Sequence, residues 1–227
     1  MLAHYTGDES LIAAFERDDD IHTLVAARVY DVSPETVTSA QRRVAKAVNF
    51  GIIYGQSAFG LARTLDIEQA VAARFIDAYF AGYPGVERWM TETLRQAARL
   101  GYVTTILGRR RAITGVREPN AELLKLPPSH NARGKNLSER TAINTVIQGS
   151  AADLIKLAML AILKRMRAEK LRSRMLLQIH DELIFECPPD ELAGIEALIV
   201  EEMTRVMTLK VPLRVDVKSG ANWAECE

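Results

Sequence analysis

The stretch RRVAKAVNFGIIYG at residues 42–55 places a chemically distinctive side chain at every fourth position. Residues four apart share one face of an α-helix, so Arg42, Lys46, Phe50 and Tyr54 form a stripe roughly 18 Å long at about 1.5 Å per residue. Two cations lie at one end of this stripe and two aromatic rings at the other. We call these four residues the ladder. They suit a ligand that is anionic at one end and flat at the other, such as a nucleoside triphosphate beside a base pair.

The ladder also has an ordinary interpretation, in which Arg42 and Lys46 are solvated and the two rings belong to the core. Asn49 and Gly51 favour the functional interpretation, because both lower helix propensity inside a helix and glycine lets another group approach the backbone closely. A second motif, far downstream in the chain, decides between the two interpretations.

The composition is that of an ordinary globular chain of 227 residues, enough for one large domain or two modest ones. Its 29 Lys and Arg balance 29 Asp and Glu, so any nucleic-acid surface must be local. Cys187 and Cys226 are too few for a disulfide framework or a zinc site, which fits a reducing compartment. No signal peptide and no uninterrupted apolar run that could span a bilayer is evident. We therefore expect a soluble cytoplasmic protein with no membrane partner.

Apolar periodicity and cap residues predict that the first half of the chain is helical. The predicted helices are LIAAFERDD capped by Asp8 or Ser10, IHTLVAARVY capped by Asp20, one opened by Ser33-Pro34, the ladder helix over 39–54, and two more over 67–80 and 85–100. A short strand is predicted over 102–107, ended by GRRR.

The second half mixes helix and strand patterns. A surface loop is predicted over 112–136 from its Pro, Gly, Asn and charged residues. The elements predicted after it are a long helix over 138–169, a hairpin of strands 175–179 and 183–186, a helix over 192–207 and a closing strand over 213–217. The predicted fold class is α+β, mainly helical with a partial antiparallel sheet.

The tip of this hairpin, His180-Asp181-Glu182, is unusually charged. Carboxylates at the end of a rigid hairpin suit a hard ion such as Mg²⁺, which binds through one or two such oxygens plus substrate phosphates. The ordinary interpretation is a solvated acidic turn, since Asp is favoured in turns. For the tripeptide alone, the ordinary interpretation is the better one.

Taken together and in this order, KAVNFGIIYG and QIHDELIFE resemble family A DNA polymerases of the bacterial polymerase I type. The resemblance extends over the whole chain: LAHYTGDESLI, DIHT, RRVAKAVNFGIIYGQS, GYVTTILGRRR, NTVIQGSAADL and MLLQIHDELIFE match in order, and NWAECE is similar to the family's own end. It implies a hand-shaped fold with a palm remnant over 1–19, fingers over 20–137 with a loop insertion at about 112–136, and palm over 138–227. The implied activity is template-directed transfer of a nucleotide from a dNTP to a primer 3′-hydroxyl, in DNA replication and repair at the bacterial nucleoid.

The resemblance implies that the ladder binds the incoming nucleotide. Arg42, Lys46 and His22 would contact its phosphates, and Phe50 would pack on its sugar and base. Tyr54 would occupy or guard the templating position. Because Phe50 lacks the hydroxyl of a Tyr, the resemblance also implies stronger rejection of nucleotides without a 3′-hydroxyl.

The resemblance further implies two-metal catalysis with Mg²⁺, in which Asp181 is a metal ligand of the palm and Glu182 lies beside it. Lys46 would neutralise charge on the leaving pyrophosphate and supply a proton. Asp181, Glu182 and Lys46 are therefore the predicted catalytic residues.

Primer–template DNA is the second implied partner, besides the dNTP. The predicted DNA-contacting residues are Arg140, Asn144 and Gln148 on the long helix, Arg109, Arg110 and Arg111 after the first strand, and His180 at the hairpin tip. For the three residues of the long helix, the ordinary interpretation is that they are simply polar residues on the helix surface. For the three arginines a solvated basic turn is nearly as good an interpretation.

One motif of the family is not in this sequence. DYSQIELR should directly precede LAHYTGDE, whereas this sequence begins MLAHYTGDE. The other metal-bridging Asp and a steric-gate Glu are therefore missing, and Asp8, at a predicted helix start, is a poor substitute. We expect an incomplete two-metal site and a chain that does not polymerise DNA at a useful rate by itself. The alternatives are a catalytically silent nucleic-acid-binding module and one half of a split polymerase.

The missing motif would form a strand beside the Asp181 hairpin in this family. We therefore expect an exposed sheet edge, with homodimerisation or local disorder near residues 1–10 and 175–186. For the loop at 112–136 we favour an inert surface excursion over a basic DNA-facing insertion. Single-subunit RNA polymerases of the phage type rank lower, because they carry Ser after the palm His-Asp and usually Tyr where Phe50 stands.

Overall fold

A computed structural model describes residues 1–119, 125, 127–128 and 135–226. The chain divides into two compact units, Met1–Ser150 and Ala151–Glu227. The first unit contains the helices α1 (Leu2–Thr6), α2 (Glu9–Glu16), α3 (Ile21–Tyr30), α4 (Ser39–Ile53), α5 (Ala58–Leu65), α6 (Gln69–Gly82) and α7 (Pro84–Leu100), and the strands β1 (Tyr102–Thr104) and β2 (Arg110–Ala112). The helix α8 (Leu137–Ala168) begins in the first unit. The second unit continues with β3 (Arg174–Ile179), β4 (Glu182–Glu186) and α9 (Leu192–Thr204).

Side-chain caps begin the helices as the sequence predicts. Asp8 Oδ1 accepts a hydrogen bond from the Leu11 N–H at 3.1 Å, and Asp20 Oδ1 accepts one from the His22 N–H at 3.0 Å. The predicted helix at Ser33-Pro34 is wrong, because only a 3₁₀ turn over Pro34–Thr36 forms there. At Val37 the backbone leaves the helical region, with φ −65° and ψ 121°, so the turn cannot continue.

The ladder helix α4 has a complete capping box at its start. Thr38 Oγ1 accepts a hydrogen bond from the Gln41 N–H at 3.2 Å, and Gln41 Oε1 accepts one from the Thr38 N–H at 2.8 Å. The helix ends at Ile53 with Tyr54 as its C-cap. Its buried residues include Ala45, Val48 and Ile52, and this face packs against α3, α5 and α6. The opposite face carries the ladder.

The first sheet is a hairpin, whereas the sequence predicts a single strand. β1 pairs antiparallel with β2, with Val103 opposite Arg111. Thr105 N–H donates to the Arg109 carbonyl at 2.9 Å across the turn. The stretch GRRR therefore leads into the second strand and does not end the sheet.

The second unit packs helices against one two-stranded sheet. Its buried core comprises Ile162 and Met166 of α8 with Ile195, Leu198 and Ile199 of α9. Met175, Leu183 and Phe185 of the β3–β4 hairpin pack against this core. The predicted hairpin and the fold class are confirmed.

Two predictions in the second unit are wrong in extent or type. α9 ends at Thr204, short of the predicted Met207. Residues 213–217 form no strand, although the pattern LRVDV alternates. A strand requires a partner, and among the described residues β3 and β4 pair only with each other.

About half of the predicted loop at 112–136 lies outside the described residues. Its described part includes the last residue of β2, and beyond it Arg117 Nε donates to Glu139 Oε1 of α8 at 2.7 Å. α8 is long and apolar enough to cross a membrane by length and composition, since one 18-residue window within it has a mean hydropathy of 1.7. Asp153 and Lys156 interrupt the apolar residues of this helix, and a core helix of a soluble protein meets the same criterion.

Candidate functional site

The four ladder residues lie on one exposed face, as the spacing predicts. Arg42, Lys46 and Phe50 project from α4, and Tyr54 follows as its cap. The Phe50 and Tyr54 side chains are 44% and 39% exposed, so the interpretation that they belong to the core is wrong. Their ring centroids are 6.2 Å apart with planes 20° from parallel, and together they form a stacked aromatic surface.

Asp20 joins the cationic end of the ladder, which the sequence analysis misses. Arg42 Nε donates to Asp20 Oδ2 at 2.5 Å, and this hydrogen bond is the main reason that the pKa of Asp20 falls to about 2. Both side chains are nearly half exposed, at 47% and 40%. Exposed ion pairs contribute about 0–1 kcal/mol, so Arg42 can exchange this carboxylate for a phosphate at little cost.

His22 lies beside the ladder on the neighbouring helix α3. Its Nδ1 is 2.9 Å from Nδ2 of Asn49, and its ring centroid is 6.2 Å from that of Phe50. Burial lowers the pKa of His22, and the positive charges of Arg42 and Lys46 lower it further, against an opposing effect of Asp20. The ring is therefore neutral at neutral pH.

Gly51 has a packing explanation. A Cβ at this position would lie 2.5 Å from Oε1 of Gln56 and 3.3 Å from Cδ1 of Leu61. The group that approaches the helix backbone closely is thus the chain's own turn into α5. Gly51 is not an indication of a ligand.

The aromatic end of the ladder meets the predicted DNA-contacting face of α8. Gln148 Nε2 donates to Tyr54 Oη at 3.4 Å. Gly55 follows in the left-handed region at φ 69°, and a Cβ there would lie 2.9 Å from Cγ of Arg140. Arg140 and Gln148 are exposed, and Asn144 between them is half-buried. The structure therefore brings the ladder and this row of α8 together.

The three consecutive arginines are each engaged by a protein group. Arg109 Nη2 donates to the Gly149 carbonyl at 3.1 Å, and Arg111 Nη1 donates to Thr145 Oγ1 at 3.0 Å. The Arg110 guanidinium lies 4.7 Å from the centroid of the Tyr102 ring. The contacts of Arg109 and Arg111 join the β1–β2 hairpin to α8, whereas the contact of Arg110 lies within the hairpin. The side chains nevertheless stay exposed.

The hairpin tip of the second unit is a two-residue turn. Ile179 pairs with Glu182, which leaves His180 and Asp181 as the turn residues, and His180 has a φ of 54° in the left-handed region. Gln178 Nε2 donates to the His180 carbonyl at 3.1 Å. Asp181 and Glu182 are both exposed.

The hairpin tip offers carboxylates but not a full metal site. Mg²⁺ requires near-octahedral oxygen coordination. No group of three or more His, Cys, Asp or Glu side chains that could hold a metal occurs within the described residues. Asp8 is 5% exposed, and its two oxygens already accept the backbone N–H groups of Leu11 and Gly85. The described residues therefore do not fit a complete magnesium site.

The sequence model of DNA polymerase family A matches residues 1–225. The chain belongs to this family. DNA polymerase I of Geobacillus stearothermophilus is 46% identical over 227 residues, which are 100% of this chain and 25% of that protein. DNA polymerase I of Bacillus subtilis (strain 168) is 45% identical over the same length, 24% of that protein. The chain thus spans about a quarter of the length of the curated relatives it matches.

A solved structure of a polymerase domain has the same fold. The polymerase domain of Pol1 from M. smegmatis, in complex with DNA primer-template and dNTP, matches with a TM-score of 0.87 and 39% identity. The match covers 99% of this chain and 38% of that one. Family membership and the α+β fold class are confirmed. The roles of individual residues and the assignment of fingers and palm stay predictions.

Two residues of the candidate site are not among the site residues predicted from the sequence. Asp20 holds Arg42, and Asn49 holds His22. A signal for each exists in hindsight. Asp20 stands two residues before His22 in DIHT, and Asn49 is a polar residue on the buried side of an otherwise apolar helix face.

Proposed function

We propose that this chain supplies the fingers and part of the palm of a template-directed DNA polymerase. Such an enzyme transfers a nucleotide from a dNTP to the 3′-hydroxyl of a primer. The observation that carries the proposal is the exposed ladder on α4, cationic at one end and aromatic at the other, in a chain of DNA polymerase family A. The complex of the M. smegmatis relative with primer-template and dNTP supports it.

The cationic end would hold the triphosphate. Arg42 and Lys46 offer fixed positive charge about one helical turn apart, and the neutral His22 offers a ring N–H. Charge builds on the leaving pyrophosphate during transfer, and preorganised cations stabilise it. Lys46 is the group that could also donate a proton to the leaving oxygen.

The aromatic end would hold the base and sugar. Phe50 offers a half-exposed ring face for stacking, and Tyr54 covers the adjacent position while Gln148 holds its hydroxyl. Phe50 carries no hydroxyl toward the sugar. We therefore infer that this pocket discriminates against nucleotides that lack a 3′-hydroxyl.

Primer–template would lie along the exposed row of α8 and the β1–β2 hairpin. The predicted contacts are Arg140, Asn144, Gln148, the three arginines 109–111 and His180. Cations on a helix and a hairpin contact phosphates without reading sequence. Base pairing with the template would then select the nucleotide. A cytoplasmic, nucleoid-associated location follows from this role.

Family A polymerases generally use divalent metals. Asp181 would supply one ligand of a Mg²⁺ site, with Glu182 beside it, and such a metal would contribute charge neutralisation and activation of the primer hydroxyl when bound. Because the described residues do not complete that site, the 227-residue chain should bind its ligands and not turn them over. The loss of one preorganised electrostatic group alone costs about 10²–10³ in rate.

The test combines DNA binding with primer extension by the purified chain. We expect it to bind a labelled primer–template with strong salt dependence and to give no magnesium-dependent extension. Arg140→Ala should weaken binding and reduce the salt slope by about 0.9, whereas Arg99→Ala, an exposed arginine at the end of α7, should change neither. Failure to bind DNA would contradict the proposed function. Extension by the chain alone would contradict its inactivity.

A further inference from the structure

Asn49 is a polar residue in a place that disfavours one. It lies near the middle of α4, immediately before Phe50, and is only 6% exposed. Asn is among the weaker helix formers, and a buried amide without partners costs roughly 1–3 kcal/mol. The amide does have a partner across the helix interface, since its Nδ2 lies 2.9 Å from Nδ1 of His22.

This contact determines where His22 carries its proton. An amide NH₂ group can only donate, so Nδ1 of the ring must accept. A neutral imidazole has one N–H, and that N–H must then be on Nε2. Among the described residues, the ring makes no other hydrogen bond. Nε2–H is therefore available to a ligand.

We infer that Asn49 is a positioning residue for the incoming nucleotide, which fixes the orientation and tautomer of His22 so that Nε2–H donates to a phosphate oxygen. The inference rests on the proposed function, because it concerns the same site. It assigns a role to a residue that touches no substrate itself.

The charges around His22 make a neutral donor useful here. Asp20 lies at the start of the same helix, and Arg42 and Lys46 face the ring from α4. Two cations already supply the positive charge for the phosphates. A ring held neutral donates a directed hydrogen bond, and it keeps doing so as the pH rises above neutrality because this form has no proton to lose in that range.

The first test measures the ring directly, without any ligand. In NMR titrations of the 227-residue protein, Asn49→Leu should raise the pKa of His22, because it removes a donor that stabilises the neutral form. Asn49→Asp should raise it further and move the neutral-form proton to Nδ1, because a carboxylate accepts. The three other histidines are internal controls and should not shift. An unchanged His22 pKa in both variants would overturn the inference.

The second test measures binding of 2′-deoxyadenosine triphosphate. Asn49→Leu and His22→Ala should each weaken binding about tenfold, as for loss of one hydrogen bond to a charged group. The double variant should bind within about twofold of His22→Ala, because Asn49 acts only through His22. Fully additive losses would show that Asn49 acts independently and would overturn the inference.

Two substitutions at His22 keep the inference testable if the Asn49 variants misfold. His22→Gln places its amide near the position of Nε2, and His22→Asn places it near Nδ1, so the Gln variant should retain the tighter binding. The reverse order would overturn the inference. If the wild-type chain binds no nucleotide at all, the proposed function fails and this role fails with it. Wild-type binding with none of the predicted Asn49 effects overturns the inference alone.

Discussion

At the scale of single residues, the glycines inside helices show how close packing decides what a position tolerates. A Cβ on Gly149 of α8 would lie 2.7 Å from Cγ2 of Thr105, a β-branched side chain in the turn of the first hairpin. A Cβ on Gly194 of α9 would meet nothing within 4 Å. The two positions look alike in the sequence, since each is a glycine in a helical pattern.

We predict opposite effects for the same substitution at these two glycines. Gly149→Ala should lower the free energy of unfolding, because overpacking costs about 1–3 kcal/mol and the gain in helix propensity is at most about 1 kcal/mol. Gly194→Ala should raise it by about 0.5–1 kcal/mol. Denaturant unfolding of both variants checks this, and stabilisation by Gly149→Ala would contradict the close approach of the hairpin.

The residue scale also shows what the sequence cannot predict about the site. The ladder is predictable because its members are four apart and one helix places them together. The partnerships Asp20–Arg42 and Asn49–His22 join residues 22 and 27 positions apart. They depend on how α3 packs against α4, which no local pattern specifies.

At the scale of elements, the strongest predictions are those with both a period and a cap. The amphipathic helices α4 and α7 have such signals, and the structure confirms them together with α8 and the β3–β4 hairpin. The wrong predictions are local patterns that need a distant partner. LRVDV alternates but has no neighbouring strand within the part of the chain that the structure describes. Ser33-Pro34 is a good helix start, but it is followed by an extended Val37. The short helices α1 and α5 and the strand β2 are not among the predicted elements.

The contacts just before α9 predict that the stability of the second unit depends on pH. Glu191, just before α9, accepts hydrogen bonds from the N–H groups of Arg172 and Ser173 and from Ser173 Oγ at 2.7–3.0 Å, and it pairs with the Arg172 guanidinium. The backbone hydrogen bond of Arg172 is the largest cause that lowers the pKa of Glu191 from 4.5 to about 2. A lowered pKa means that the charged form stabilises the fold above pH 4.5, and that this contribution is lost as the pH falls toward 2.

Glu191→Gln should therefore lower the melting temperature of the second unit at neutral pH. The difference from wild type should shrink between pH 4.5 and about 2, where the wild-type carboxylate takes up its proton. Glu186→Gln, at the exposed end of β4, is the control and should have little effect at either pH. A difference that stays constant down to pH 2 would contradict the role of the Glu191 charge.

At the scale of the whole molecule, the sheet of the second unit leaves two apolar side chains uncovered. Leu176 and Leu177 of β3 are 52% and 50% exposed, and among the described residues the sheet has only two strands. Such a sheet invites pairing with another chain. We propose that the 227-residue chain forms a homodimer through this sheet.

Analytical ultracentrifugation over a range of concentrations tests the dimer. We expect concentration-dependent dimerisation that Leu177→Lys abolishes, because a buried lysine at such a contact is unfavourable. Leu100→Lys, an equally exposed leucine at the end of α7, is the matched control and should leave the dimer intact. A wild-type chain that stays monomeric at all concentrations would contradict the proposal.

The central claim is that the ladder on α4 binds the incoming nucleotide, and calorimetric titration with 2′-deoxyadenosine triphosphate tests it most directly. Arg43 is the matched control, because it is an exposed cation next to Arg42 but lies outside the ladder. The account predicts that the wild-type chain binds, that Arg42→Ala and Lys46→Ala each weaken binding about tenfold or more, and that Arg43→Ala binds as wild type. No binding by the wild-type chain, or equal losses in all three variants, would contradict it.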